Sequence, residues 1–227
     1  MDPTTQVPVI RIQGDTRLPD RDTVIREYAF ALTYNGILLE EGTCLPLGLE
    51  DMARGFLLTE GHVAGAGQIR SIQVGTDGMI RAEGAWGAPP LEERRLPAGR
   101  WEAERVMDQA EGFLEASALF QATGSVHSAL LTVGRQRFYA EDLGRHNAID
   151  KAVGMAMAAG ADLGQSILYT SGRLPFGMAA KAVRAGIPVV VSRSAPTDLT
   201  LELAQKTGLT VIGFARGGRM NLYTGTD

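Results

Sequence analysis

Residues 166–213 read SILYTSGRLPFGMAAKAVRAGIPVVVSRSAPTDLTLELAQKTGLTVIG, and their periodicity decides the fold. Three short apolar runs, 166–170, 187–191 and 209–213, are rich in β-branched residues and too short for helices. Between them, 178–185 and 199–206 carry apolar residues at helical spacing. Each ends at a glycine, Gly186 and Gly208, the residue that closes helices in a left-handed conformation. Alternation of this kind predicts right-handed crossovers onto a mostly parallel sheet, the α/β class.

In such a sheet the loops that leave the carboxyl ends of strands share one rim, where open α/β sheets bind ligands. The loops here are polar and carry arginine. They are Glu141 to Asn147, Thr170 to Arg173, Ser192 to Thr197 and Phe214 to Arg219. Arg145, Arg173, Arg193, Arg216 and Arg219 would converge on that rim. A guanidinium is always charged and its planar fork matches phosphate oxygens, so the pattern points to a phosphate-rich small molecule.

Working outward, 128–133 and 137–140 read as paired strands around Gly134, and 147–159 as a helix ended by Gly160. Residues 101–120 suit one long amphipathic helix with Val106, Met107, Ala110, Phe113, Leu114 and Leu119 on its apolar face. Before it, 84–100 (GAWGAPPLEERRLPAGR) is a Gly/Pro-punctuated, charged connection. Nearer the N-terminus, 28–34 and 37–44 form a hairpin around Asn35-Gly36. A helix starting at Leu49 and closed by Gly61 follows, then a second hairpin through Thr76-Asp77-Gly78. Residues 1–22 lack apolar period and read as a flexible arm. The expected division is this arm, a small α+β domain over 23–100, and an α/β domain over 101–227.

The totals exclude several classes. With 227 residues, 44% of them hydrophobic, the chain can bury a sizeable core. A net charge of -4 argues against a nucleic-acid platform. No run approaches the roughly 20 apolar residues a membrane span requires, and no leader pattern opens the chain, so the cytoplasm is the expected compartment. One cysteine, Cys44, leaves no internal disulfide and no thiolate-based zinc site. Only Lys151, Lys181 and Lys206 are lysines, which a compositional bias toward arginine explains; the position of each arginine is therefore the informative quantity.

Each loop has two readings. In 141–147, the acids would accept hydrogen bonds from a base while Arg145 and Asn147 meet phosphate or sugar, and His146 is either a ligand contact or a structural histidine; equally, acids and Asn147 suit a helix start. Ser171, Gly172 and Arg173 form a candidate phosphate nest or a routine strand-to-helix turn. Ser192, Arg193, Ser194 and Thr197 present the same choice. Phe214, Ala215, Arg216, Gly217, Gly218 and Arg219 contain no acid and read as a mobile cationic loop that binds ligand. There is no GxxxxGK[ST] and no dinucleotide fingerprint around Gly65-Ala66-Gly67. A hydrolase built on Asp142, His146 and Ser171 is an alternative, though the GxSxG elbow is missing. A non-catalytic small-ligand binding protein is another.

The segments EDLGRHNAIDK, TSGR, AGIPVVVSRSAPT and GFARGGRMNLYT, in that order, together with ARGFLLTEG at 53–61 and FQATG at 120–124, resemble the FdhD family of formate dehydrogenase accessory proteins. The resemblance runs from about Tyr28 to Thr224. It implies a small α/β first domain and a second, three-layer domain of cytidine-deaminase-like fold without the deaminase zinc. It also implies a cytoplasmic homodimer that binds the molybdenum bis(molybdopterin guanine dinucleotide) cofactor and passes sulfur to it from a cysteine desulfurase, for a formate dehydrogenase or another molybdoenzyme. Cofactor binding then falls on Phe214 to Arg219. The family's CxxC pair belongs in 84–100, where this chain has no cysteine, and no other residue type replaces a sulfur nucleophile. Leu174-Pro175-Phe176-Gly177 departs from the family's SGRxSxE, and Ser125 replaces a glycine.

Overall fold

A computed structural model describes residues 2–115 and 117–226, without the side chains of Leu114 and Glu115. Twelve strands among the described residues form three sheets. The first is a hairpin of β1 (Thr4–Gln13) and β2 (Thr16–Ile25), in antiparallel register from Thr4↔Ile25 to Gln13↔Thr16. An ordered hairpin therefore stands where a flexible arm was expected. Its residues are mostly exposed, so backbone pairing and the Gly14 turn hold it rather than burial, and burial is what hydrophobic period reports.

The second sheet has the order β4-β3-β6-β5, from β3 (Tyr28–Tyr34), β4 (Ile37–Cys44), β5 (Ile69–Val74) and β6 (Met79–Gly84). Asn35 and Gly36, both at positive φ (51° and 79°), close the β3–β4 turn as the Asn-Gly pair predicts. Helix α1 (Leu49–Thr59) packs on this sheet.

The third sheet holds β7 (His127–Val133), β8 (Gln136–Asp142), β9 (Ser166–Thr170), β10 (Val189–Ser192), β11 (Thr210–Arg216) and β12 (Arg219–Thr224), ordered β12-β11-β10-β9-β7-β8. The α/β class holds, but the sheet is mixed rather than mostly parallel. Only β9–β10 and β10–β11 pair in parallel; β11–β12, β7–β9 and β7–β8 are antiparallel. Strand direction nevertheless preserves the shared rim. Because β7 is antiparallel to both neighbours, β8 runs the same way as β9, β10 and β11, and the loops after all four leave from one end.

Alternate residues of each strand serve opposite faces, as a period of two requires. On one face Leu130, Ile167, Tyr169, Val189, Val191 and Ile212 meet Val106, Ala110 and Phe113 of α2 (Ala103–Glu115). On the other, Leu131, Leu168, Val190 and Val211 meet α4 (Arg145–Ala158), α5 (Phe176–Ala185) and α6 (Asp198–Thr207), and this core continues into α1 and the four-stranded sheet. The single helix expected over 101–120 is two. Ser117 caps a separate α3 (Ala118–Thr123), its side chain accepting from Phe120 N; Leu114, expected on the apolar face, lies outside the described side chains.

Helices α1 and α4 cross at two glycines. A Cβ on Gly55 would lie 2.6 Å from Asp150 C, and one on Gly154 2.6 Å from Asp51 C, so each helix seats its glycine on the other's backbone. Beside this crossing Lys181 bonds both Asp150 oxygens at 2.9 Å, Thr59 Oγ1 at 3.1 Å and Glu60 Oε1 at 2.7 Å. Lys151 reaches Asp142 at 2.6 Å and Leu45 O at 3.2 Å. Both lysines are buried, and both tie the helices of the larger sheet to the N-terminal sheet and its helix.

Candidate functional site

Three of the four rim loops, those after β9, β10 and β11, are bonded to one another. Ser192 Oγ donates to Gly172 O at 2.7 Å, and Arg193 N to Thr170 O at 3.2 Å. Leu174 N donates to Ala195 O at 3.0 Å, Thr197 N to Leu174 O at 3.2 Å, and Phe214 N to Ser194 O at 3.1 Å. From β11 to β8 there are four strand spacings, so the rim extends roughly 19 Å. Such a length suits an elongated ligand better than a compact one.

Toward its β8 end lies a cavity of about 330 Å³ lined by Phe120, Gly124, Ser125, His127, Leu143 and Ser171. Ser171 Oγ accepts from Ser128 N at 3.0 Å and lies 3.4 Å from His127 Nδ1. Burial first, and Arg145 second, hold the His127 imidazole below its ordinary pKa and so neutral. Arg145, the first residue of α4, lies across Gly172: a Cβ there would sit 3.3 Å from Arg145 Cδ and 3.6 Å from His127 Nδ1. Arg145 Nε is buried with no hydrogen-bond partner among the described residues. A guanidinium nitrogen taken from water without an acceptor is costly, and a bound anion supplies one.

The segment expected as a mobile cationic loop is instead the turn of the β11–β12 hairpin. It places Arg216 directly opposite Arg219. Like charges in cross-strand register repel, and neither has a carboxylate partner among the described residues. Glu111 Oε1 accepts from Gly218 N at 2.9 Å and fixes the turn from α2. Phe214, at a bulge, has φ 53°. That left-handed conformation costs a bulky residue about 1–3 kcal/mol and gathers at functional sites. Arg173, Arg216 and Arg219 are exposed and Arg193 is half-buried.

Other expected site residues have structural duties. Asn147 Nδ2 donates to Asp142 Oδ1 at 3.0 Å and Thr43 O at 3.3 Å. Ser192 is fully buried, receiving Ser194 N at 3.0 Å. His146 is not among the residues lining the cavity and packs beside Gly177; burial first, then Lys181 and Arg145, lower its pKa. Asp142 is committed to Leu45 N, Gly144 N, Asn147 and Lys151. The Asp142–His146–Ser171 triad therefore does not assemble. The histidine beside Ser171 is His127, which carried no sequence signal because it opens a strand rather than lying in an arginine-bearing loop. Among the described residues no three His, Cys, Asp or Glu side chains group as a metal site would require.

The FdhD/NarQ family profile matches residues 25–97 and 86–227. The chain belongs to the FdhD/NarQ family. The Sulfur carrier protein FdhD of Wolinella succinogenes is 36% identical over 248 aligned residues, covering 95% of this chain and 86% of the relative. That of Methanothermobacter thermautotrophicus is 30% identical over 240, covering 96% of each. A Desulfotalea psychrophila crystal structure, described as a formate dehydrogenase accessory protein, superposes with a TM-score of 0.87 at 30% identity over 98% of this chain and 97% of the other. FdhD/NarQ relatives are thus similar along the whole fold, rim included. Among the described residues no helix is long and apolar enough to cross a membrane.

The sulfur chemistry in the relatives' name needs a reactive thiol. Cys44, the sole cysteine, is fully buried, its Sγ 3.6 Å from Tyr28 O. Burial, followed by Asp142, pushes its pKa to about 12. Such a thiol is not a nucleophile at neutral pH.

Proposed function

We propose that this protein is a maturation factor for a formate dehydrogenase or a related molybdoenzyme, holding the molybdenum bis(molybdopterin guanine dinucleotide) cofactor along the arginine rim. Its own persulfide relay is lost, and sulfur reaches the cofactor from a partner, a cysteine desulfurase or a second carrier. The protein works in the cytoplasm as a homodimer. The observation that carries the reading is the Arg216–Arg219 apposition on a rim whose Arg145 Nε lacks an acceptor. Phosphate oxygens answer both. Arg173, Arg193, Arg216 and Arg219 would hold the extended phosphates. The cavity beside His127 and Ser171 takes a ring, with Gly172 allowing close approach of Arg145.

Guanosine diphosphate is the probe. At a hundred times its dissociation constant it stabilises the fold by about 2.7 kcal/mol, a rise in Tm of roughly 5–10 °C for a chain of this size. The rise is lost in Arg216→Ala. No shift at millimolar nucleotide defeats the binding claim. Radiolabelled sulfur from a desulfurase accumulating covalently on this chain defeats the claim of a lost relay.

A further inference from the structure

A second cavity lies at the other end of the six-stranded sheet. It is about 880 Å³, within the size range of small-molecule sites. Thr132 and Gly134 at the end of β7 and Ile167 at the start of β9 form one side, and the end of the connecting segment with the first turn of α2 forms the other. Its wall is held in place. Leu96 N donates to Thr207 O at 2.8 Å, and Gly99 is so close to β10 that a Cβ would lie 3.3 Å from Pro188 O.

The lining is specific in kind. Val106 and Ile167 give an apolar floor, and Trp101, partly buried against the same core, gives a flat ring. Arg100 and Arg105 supply two guanidiniums against one carboxylate, Glu102. Arg105 is fixed by donating Nη2–H to Gly134 O, which leaves its remaining donors available. Among the described residues neither arginine pairs with an acid. A flat apolar wall beside a guanidinium fork, with one surplus positive charge, recognises a planar ring bearing a single oxyanionic group.

We propose that this cavity is a second binding site, for a small aromatic oxyanion, separate from the rim and independent of what the rim binds. In a Trp86→Phe background Trp101 is the sole tryptophan, and its fluorescence reports the site. Phenyl phosphate or benzoate gives a saturable change with a Kd below about 1 mM; whichever binds tighter identifies phosphate or carboxylate as the group read. Arg100→Gln, which removes an exposed side chain with no acidic partner, weakens binding about tenfold or more. Arg105→Gln does the same, and Arg216→Gln on the rim leaves the affinity unchanged. Three results overturn the proposal: no saturable response to either probe, inorganic phosphate binding as tightly as phenyl phosphate, or loss of binding in Arg216→Gln with Arg100→Gln unaffected.

Discussion

Gly154→Ala tests whether the α1–α4 crossing holds the two larger sheets together. The new Cβ would lie 2.6 Å from Asp51 C and 2.9 Å from Asp51 Cα, where carbons ordinarily approach to about 3.5–4.0 Å. The obstruction is helical backbone, which cannot rotate aside, so the helices must part by about 1 Å. Overpacking of this kind costs about 1–3 kcal/mol. Parting the helices also loosens Asp150, on the same face of α4, from Lys181 and Thr59. Against this, alanine gains up to about 1 kcal/mol over glycine within a helix. The net expectation is a loss of about 2 kcal/mol, read as a lower urea midpoint by circular dichroism. Gly112→Ala is the internal control. Gly112 is exposed on α2, and the Cβ it would gain meets nothing within 4 Å, so it shows only the propensity gain and a higher midpoint. If Gly154→Ala also raises the midpoint, the close crossing does not bear the stability assigned to it.

Lys181→Met leaves Asp150 buried and unpaired and lowers stability by about 3–5 kcal/mol; a urea midpoint within experimental error of the parent contradicts the ion-pair account. Cys44 in the native protein resists a thiol reagent at pH 8 and reacts on addition of denaturant, because burial holds its pKa at about 12; rapid native labelling refutes this. His62, His127 and His146 all titrate below the ordinary value, chiefly through burial. The unfolded state then binds more protons as pH falls through about 6.5, so the histidine contribution to stability is complete above that pH and declines below it. Asp150, its carboxyl raised by burial, acts in the opposite sense, so the histidine share is isolated by variant: between pH 7 and 5 the decline is shallower in His127→Asn, and an unchanged slope is the adverse result. Arg216→Ala relieves the cross-strand repulsion and raises the Tm of the ligand-free protein by about 1–3 °C while weakening nucleotide binding; a fall in Tm would show that Arg216 has a structural role instead.

Elements that bury an apolar face were legible in the sequence. The Asn35-Gly36 hairpin, α1, and the helices closed by Gly186 and Gly208 all stand where period and turn chemistry put them. The β1–β2 hairpin was not, since Ile10, Ile12 and Leu18 are exposed and no inward face imposes alternation. The break between α2 and α3 was hidden for another reason: apolar spacing continues through Ser117, and only its side-chain bond to Phe120 N marks a new start. At the rim, strand direction followed from the loops' placement, but Asn147 and Ser192 were drawn into internal bonds that polarity alone does not foretell. His127 was missed because its neighbour in space, Ser171, is 44 residues away in sequence.

Compositional bias explains why the chain has so many arginines, yet it leaves the lysines to be explained, and two of the three are Lys151 and Lys181 in buried ion pairs. A slender stem with a compact charge can thread between packed helices to reach a carboxylate, where a planar guanidinium needs more room and more acceptors. The rim arginines differ in kind from those lysines. Lys181 is surrounded by Asp150, Glu60 and Thr59 and needs nothing further. Arg216 faces another cation, and Arg145 Nε faces no acceptor. A fold that satisfies its buried lysines so fully has acids available, with 26 against 22 basic residues. Like charges set opposite each other on a turn that α2 fixes through Glu111 are destabilising in isolation, and an anionic ligand along the rim turns that cost into affinity.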